Sequence, residues 1–160
     1  LSPPVRPQPR ARAGKRQRMT EMLRPILAAE DDATDRMILE MAFQRAKLPC
    51  PLVVVHDGQE AVDYLCGKGQ YSDRAAHPLP ALLLLDLKMP RMNGLDVLAW
   101  LAQHPHFKKL PVVVLSSWGA EQDMNKALQL GAREYFVKPH SLGELTKIAN
   151  QIHARWLSAG

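Results

Sequence analysis

A chain of 160 residues with 46% apolar residues is long enough for one globular domain with a real core. Its formal charge is +5, but seven of the 21 Lys/Arg and only one of the 16 Asp/Glu fall in residues 1–24. The positive excess is therefore a property of the tail, and it does not mark the folded part as a nucleic-acid binder. Cys50 and Cys66 have no metal-ligand spacing and read as free buried thiols in a reducing compartment. No apolar run reaches membrane-span length and no apolar segment opens the chain as a secretory signal, so a cytoplasmic location is expected.

Residues 1–24 are rich in Pro, Arg and Gln and lack periodic apolar positions, which predicts a disordered basic tail before a folded domain over 25–160. The sequence begins with Leu1, and Met19 and Met22 are alternative starts. From Pro25 on, short apolar runs at Ile26–Ala29, Leu52–Val55, Ala81–Leu85, Val112–Leu115 and Glu134–Val137 read as strands. Amphipathic segments lie between them. Asp32 can cap a helix with Met37, Ile38, Met41 and Ala42 on one face. Asp57 with Glu60 opens a helix carrying Ala61, Val62 and Leu65. Gly67–Pro80 reads as a loop longer than the usual helix-to-strand link. Asn93-Gly94 leads into Leu95, Leu98 and Leu101. Met124, Ala127 and Leu128 share a face that ends at Gly131, and Ser141 with Glu144 caps a last helix bearing Leu145, Ile148, Ala149, Ile152 and Trp156. Strand and helix alternating five times predict a parallel sheet covered on both faces.

The strand ends carry the chemistry. The first ends in Glu30-Asp31-Asp32, the third in Asp86, the fourth in Ser116-Ser117 and the fifth in Lys138-Pro139. In a parallel sheet these ends share one edge, where α/β folds bind ligands. A carboxylate inside the sheet would be costly, but at that edge Asp86 opens into a crevice. Carboxylates with a lysine and a hydroxyl suit phosphoryl transfer. Two acids and a backbone carbonyl can hold Mg²⁺, the cations offset phosphate charge, and a remaining carboxylate can attack phosphorus to form an acyl phosphate.

Four motifs in order carry a resemblance: Ile26-Leu27-x-x-Glu30-Asp31-Asp32, Leu83-Leu84-Leu85-Asp86-Leu87-Lys88-Met89-Pro90-x-x-Asn93-Gly94, Val112-Val113-Val114-Leu115-Ser116-Ser117, and Gly131-Ala132-x-x-Tyr135-x-Val137-Lys138-Pro139. Over about residues 25–157 the chain resembles the receiver domain of two-component response regulators. The resemblance implies a flavodoxin-like, doubly wound five-stranded sheet in order 2-1-3-4-5 with five helices. It implies that Asp86 is the phosphoacceptor, that Asp31, Asp86 and the Lys88 backbone carbonyl ligate Mg²⁺, and that Glu30 acts through bound water. Ser116 would hydrogen-bond the phosphoryl group, Lys138 would pair with it across a cis Lys138-Pro139 bond, and Tyr135 would be the aromatic switch. The partner would be a histidine kinase. The Gly67–Pro80 segment, the His104-Pro105-His106-Phe107 turn and Trp156-Leu157 resemble single-domain regulators paired with bacterial phytochrome kinases.

Two positions depart from the commonest family pattern. The acidic pair begins with Glu30, which still suits a water-mediated contact, and Trp118 is bulkier than most residues two past the hydroxyl. Lys88 sits two past Asp86, where an aspartyl-nucleophile phosphohydrolase, the alternative reading, would want a second acid. An inactive scaffold would not need the complete acid, hydroxyl and lysine set.

Each site residue also has a plainer reading. Asp31 can cap a helix, Ser116 likewise, Lys138 can be a solvated lysine and Tyr135 a core aromatic. Capping does not explain three adjacent acids meeting a fourth from another strand, the place of Lys138 at a strand end before Pro139 argues against a plain solvated lysine, and for Tyr135 the core and switch readings stand almost even. The histidines read as surface-loop residues or, for His153, as packing; Met37, Met41, Met89, Met92 and Met124 read as packing. After the fifth strand one helix remains and no helix-turn-helix follows it, so the expected output is an unknown downstream protein or a homodimer through the last helix, with no DNA-binding domain and no membrane association.

Overall fold

The computed structural model describes residues 24–158. The predicted tail lies outside the described residues except for Arg24, which donates to the carbonyls of Leu79 and Pro80. Five strands, β1 (Ile26–Ala29), β2 (Leu52–Val55), β3 (Leu82–Leu85), β4 (Val112–Ser116) and β5 (Glu134–Val137), form one parallel sheet in the order β2-β1-β3-β4-β5. The helices are α1 (Ala33–Ala46), α2 (Gly58–Cys66), α3 (Gly94–Ala102), α4 (Glu121–Gln129) and α5 (Leu142–Ile152), the last running into a π turn at His153–Leu157. The parallel sheet covered on both faces is what the alternation predicted, and the doubly wound order is the one the resemblance implied. None of the described helices is long and apolar enough to cross a membrane.

Alternate residues of each central strand feed two cores. Ile26, Ala28, Leu82, Leu84, Val113 and Leu115 pack against α1 and α5, while Leu27, Ala29, Leu83, Leu85, Val112 and Val114 pack against α2, α3 and α4. Continuous apolar runs are required because both faces are covered. Leu82, Leu83 and Leu85 are fully buried, each contributing about 1.5–3 kcal/mol of apolar burial. Ala29 pairs with both Val55 and Leu85, so Glu30 and Asp86 leave the sheet side by side.

Local sequence sets the helix starts. Asp32, Asp57 and Ser141 each accept the N–H of the residue three on, and Asn93 with Asp96 forms a reciprocal capping box. Glu60 does not close a capping box with Asp57; it accepts the His56 N–H and the Tyr71 hydroxyl instead.

Several expectations are corrected. The buried face of α1 consists of Leu39, Ala42 and Phe43, and Met37 and Met41 are exposed, because Leu39 and Phe43 form the stripe that meets the sheet. Leu128 on α4 is exposed. Leu145 and Ile152 of α5 lie in the core, with Ile148 and Trp156 packed against it, so that stripe is spent internally rather than presented to a partner. Cys50 is half-buried and Cys66 is exposed, so neither is the buried thiol expected. The Gly67–Pro80 segment is ordered by its own contacts. Tyr71 lies 4.9 Å from Tyr64 and 5.2 Å from His77, ring centre to ring centre. The Arg74 guanidinium donates to the carbonyls of Tyr64, Leu65 and His77, which ties the segment to the C-terminus of α2.

Candidate functional site

Each strand end delivers one part. After β1 the chain turns through Glu30 and Asp31 into the Asp32 cap of α1. The Glu30 carboxylate accepts the Asp32 N–H at 3.1 Å, and Arg36 donates to the carbonyls of Glu30 and Asp31 at 3.1 and 2.6 Å. After β3, Asp86 donates its N–H to the Ala29 carbonyl and accepts the Lys88 N–H on Oδ1. Glu30 and Asp86 are each only 4% exposed, whereas Asp31 and Lys88 face solvent. The oxygens of Glu30, Asp31 and Asp86 lie within 4.8 Å of one another.

The start of α3 presses on this strand end. A Cβ on Gly94 would stand 2.3 Å from the Asp86 carbonyl oxygen and 2.8 Å from the Leu87 Cα, so only glycine fits. The Gly58 N–H holds the Met92 carbonyl at 3.1 Å, and Asp57 pairs with Arg91, a residue in the left-handed region at φ 63°. The loop after Asp86 is thus anchored at both ends.

Lys138 enters from the end of β5. Its Nζ lies 2.6 Å from Glu30 Oε2, 2.8 Å from Asp86 Oδ2 and 2.8 Å from Asp35 Oδ2. The peptide bonds among the described residues are all trans, Lys138-Pro139 included, which corrects the cis expectation. Trans is the default for such bonds, and from it the ammonium already reaches three carboxylates. Burial works against the Lys138 charge, but the hydrogen bonds it donates to Asp35, Asp86 and Glu30 outweigh it and hold the ammonium's pKa up. Glu30 goes the other way: burial, helped by the nearby Asp86 charge, pushes its carboxyl up to about 7 despite Lys138.

Ser116 is fully buried at the end of β4, where its Oγ accepts the Trp118 N–H at 3.2 Å and its carbonyl accepts the Lys138 N–H at 2.9 Å. The Tyr135 hydroxyl donates to the Trp118 carbonyl, and burial raises its pKa. The structure therefore brings together Glu30, Asp31, Asp86 and Lys138. It joins Ser116 and Tyr135 to them through backbone contacts, and it places Lys88 beside Asp86 by its amide. Sequence reasoning missed Asp35, Arg36 and the Asp57–Arg91 pair. Asp35 lies one helical turn past Asp31, so that spacing was its one local signal.

Three carboxylates presenting only oxygen are a donor set for a hard divalent cation such as Mg²⁺ or Mn²⁺. An acidic cluster paired with a lysine at the carboxyl edge of a 2-1-3-4-5 sheet is also the arrangement that the motif order implied. The family model described as "Response regulator receiver domain" matches residues 26–150. The chain belongs to the response regulator receiver family. Response regulator Rcp1 of Synechocystis sp. is 33% identical over 132 residues, 82% of this chain and 88% of Rcp1. The Mn(2+)-bound form of Rcp1 superposes with a TM-score of 0.74 at 31% identity, covering 86% of this chain and 96% of the other. The phosphorylated cyanobacterial phytochrome response regulator RcpA superposes with a TM-score of 0.77 at 34% identity, covering 86% and 96%. The bacteriophytochrome response regulator AtBRR gives 0.71 at 36% identity, covering 86% and 97%. The receiver protein described here is thus similar to regulators of the phytochrome group, and its acidic pocket matches the family's divalent-cation chemistry.

Proposed function

We propose that this receiver protein is a phosphorylation switch in which Asp86 accepts a phosphoryl group from a histidine kinase, with Mg²⁺ bound by Glu30, Asp31, Asp86 and the Lys88 carbonyl. The observation that carries the reading is the buried Asp86 carboxylate, aimed at the carboxyl edge of the sheet with the Lys138 ammonium 2.8 Å away. Its relatives RcpA and AtBRR are phytochrome response regulators, which supports a phytochrome-type kinase as the partner.

An Asp86 oxygen attacks the phosphorus of a phosphohistidine in line. The new P–O bond forms as the P–N bond breaks, and the leaving imidazole keeps the nitrogen electron pair. Mg²⁺ supplies charge neutralisation for the phosphoryl oxygens when bound. Lys138 pairs with one of those oxygens and Ser116 Oγ–H donates to another, while Lys88 N–H holds the non-reacting Asp86 oxygen. Water attacking phosphorus later returns free phosphate and the Asp86 carboxylate. Lys88 stands where a hydrolase would keep its second acid, so this return is slow and the phosphorylated state persists as a signal.

Recruitment of Ser116 shifts the Trp118 segment and, through its carbonyl, the Tyr135 hydroxyl. The affected surface spans α4, β5 and α5, where Leu128 and Val137 are 44% and 46% exposed. That surface is the proposed contact for a homodimer or a downstream protein. A monomeric mass in solution with and without phosphorylation would sink the dimer. The central test is labelling with a cognate kinase or acetyl phosphate in Mg²⁺, on wild type and Asp86→Asn. Wild type is expected to take up acid-stable, base-labile label and the variant none; label retained by Asp86→Asn would refute the assignment.

A further inference from the structure

One ammonium serves three carboxylates here, and they are not equivalent. Glu30 and Asp86 belong to the oxygen cluster within 4.8 Å that fits a divalent cation; Asp35 does not. Their side chains are 6% and 4% exposed, against 40% for Asp35 on the first turn of α1. Any cation in that cluster and the Lys138 ammonium compete for the same Glu30 and Asp86 carboxylates. An ammonium with no other partner would either stay and oppose the cation or leave for solvent, losing its place beside Asp86. Asp35 offers a third course, because it lies 2.8 Å from Nζ and is not itself a member of the cation cluster. A cavity of ≈ 60 Å³ lined by Glu30, Asp35, Leu39, Leu115, Lys138 and Pro139 gives the lysine head room there.

We propose that Asp35 is a positioning residue that acts through Lys138: it retains the ammonium next to Asp86 while Glu30 and Asp86 turn to a divalent cation. The inference rests on the Mg²⁺-dependent phosphoacceptor reading above. It is distinct from a general effect of acidic charge, because it requires the lysine.

A double-mutant cycle separates the two. Mg²⁺ dissociation constants are measured by calorimetry for wild type, Asp35→Asn, Lys138→Met and the double variant. Asp35→Asn is expected to weaken Mg²⁺ binding about fivefold, the size of a partly exposed ion pair. In the Lys138→Met background the same change is expected to have almost no effect, and Asp35→Glu restores most of the affinity. An equal loss in both backgrounds, or no loss in either, overturns the proposal. Wild type failing to bind Mg²⁺ at all overturns the underlying reading as well, which distinguishes the two failures. Since Lys138→Met leaves its carboxylates uncompensated and can unfold, a crystal structure of the Mg²⁺-loaded wild type provides a second arm. Nζ within hydrogen-bonding distance of Asp35 and withdrawn from Glu30 supports the proposal; Nζ off Asp35, or still on Glu30, refutes it.

Discussion

Glu30 should make the metal-free protein less stable as pH rises. Burial pushes its carboxyl from 4.5 to about 7, whereas in the unfolded chain it ionises near the lower value. Between those limits the native state binds more protons than the unfolded state, so unfolding free energy falls with increasing pH. The stabilising contribution is fully present below about pH 4.5 and is lost as pH passes through about 7. At about 1.4 kcal/mol per pKa unit, holding the charged carboxylate at pH 8 costs on the order of 3 kcal/mol. Glu30→Gln removes the charge, keeps an oxygen for the Asp32 N–H, and leaves Lys138 its contacts with Asp35 and Asp86. The variant should therefore match wild type below about pH 4.5 and exceed it by up to about 3 kcal/mol at pH 8.

Urea denaturation in EDTA at a series of pH values between these, on both proteins, reads this directly. Groups other than Glu30 are common to both proteins, so the difference between the two isolates Glu30. A difference that stays constant with pH would refute the assignment of a destabilising buried charge. The same variant should lose the stabilisation that excess Mg²⁺ gives the wild type at pH 8, because a ligand stabilises only through the state it binds. More stability and less function from one substitution is the usual trade at a charged site.

Gly58→Ala places a Cβ 2.2 Å from the Met92 carbonyl oxygen, a backbone atom that cannot rotate away, so it should destabilise by about 1–3 kcal/mol in urea melts. A cost near zero would mean that the loop after Asp86 moves freely from α2. Trp118 is 37% exposed and bonded through its N–H to Ser116; if its bulk limits water near the phosphoryl group, Trp118→Ala should shorten the half-life of the acyl phosphate. An unchanged half-life, followed by loss of label after donor removal, counts against it. Ser116→Ala removes both the donor to phosphate and the acceptor for Trp118 N–H; label uptake should persist at a reduced rate, and the change in the Tyr135 ring NMR signals expected on phosphorylation of the wild type should be absent. Retention of that change would place the Tyr135 response on another route.

Much of this was legible locally. The strands at Ile26–Ala29, Leu52–Val55 and Glu134–Val137 begin and end where the sequence runs do, although only the first is buried at every position. Helix α1 shows the limit. Ile38 and Ala42 belong equally to a stripe with Met37 and Met41 and to one with Leu39 and Phe43, and periodicity alone cannot choose between them. Contact with the sheet chose the second, exposing both methionines. The strand-end acids, the hydroxyl and the lysine could be placed on one edge from order alone. Their partners could not, because Asp35 meets Lys138 across 103 residues and Arg91 meets Asp57 across 34. Such pairs exist only once the sheet has brought distant loops together. The Tyr71–Tyr64–His77 cluster was hidden for a different reason: a Gly- and Pro-rich composition signals a turn but says nothing about an aromatic that folds back over the preceding helix.

The charge balance argues against Lys138 serving as a structural ion pair held for stability alone. A buried pair held for stability needs one acid per base, with remaining lone pairs hydrogen-bonded, and even then contributes little over an apolar substitute. Here one ammonium faces Glu30, Asp35 and Asp86, with Asp31 beside them, so the cluster stays negative with the lysine counted. The opposing pressures follow from that excess. Three acids together keep Lys138 charged against its burial, yet a single lysine shared among them cannot keep Glu30 in the ordinary carboxylate range. Selection for stability alone would replace Glu30 or Asp86 by a neutral residue. A surplus of carboxylate that a divalent cation and a phosphoryl group would together bring into balance is what a metal-assisted phosphoacceptor requires.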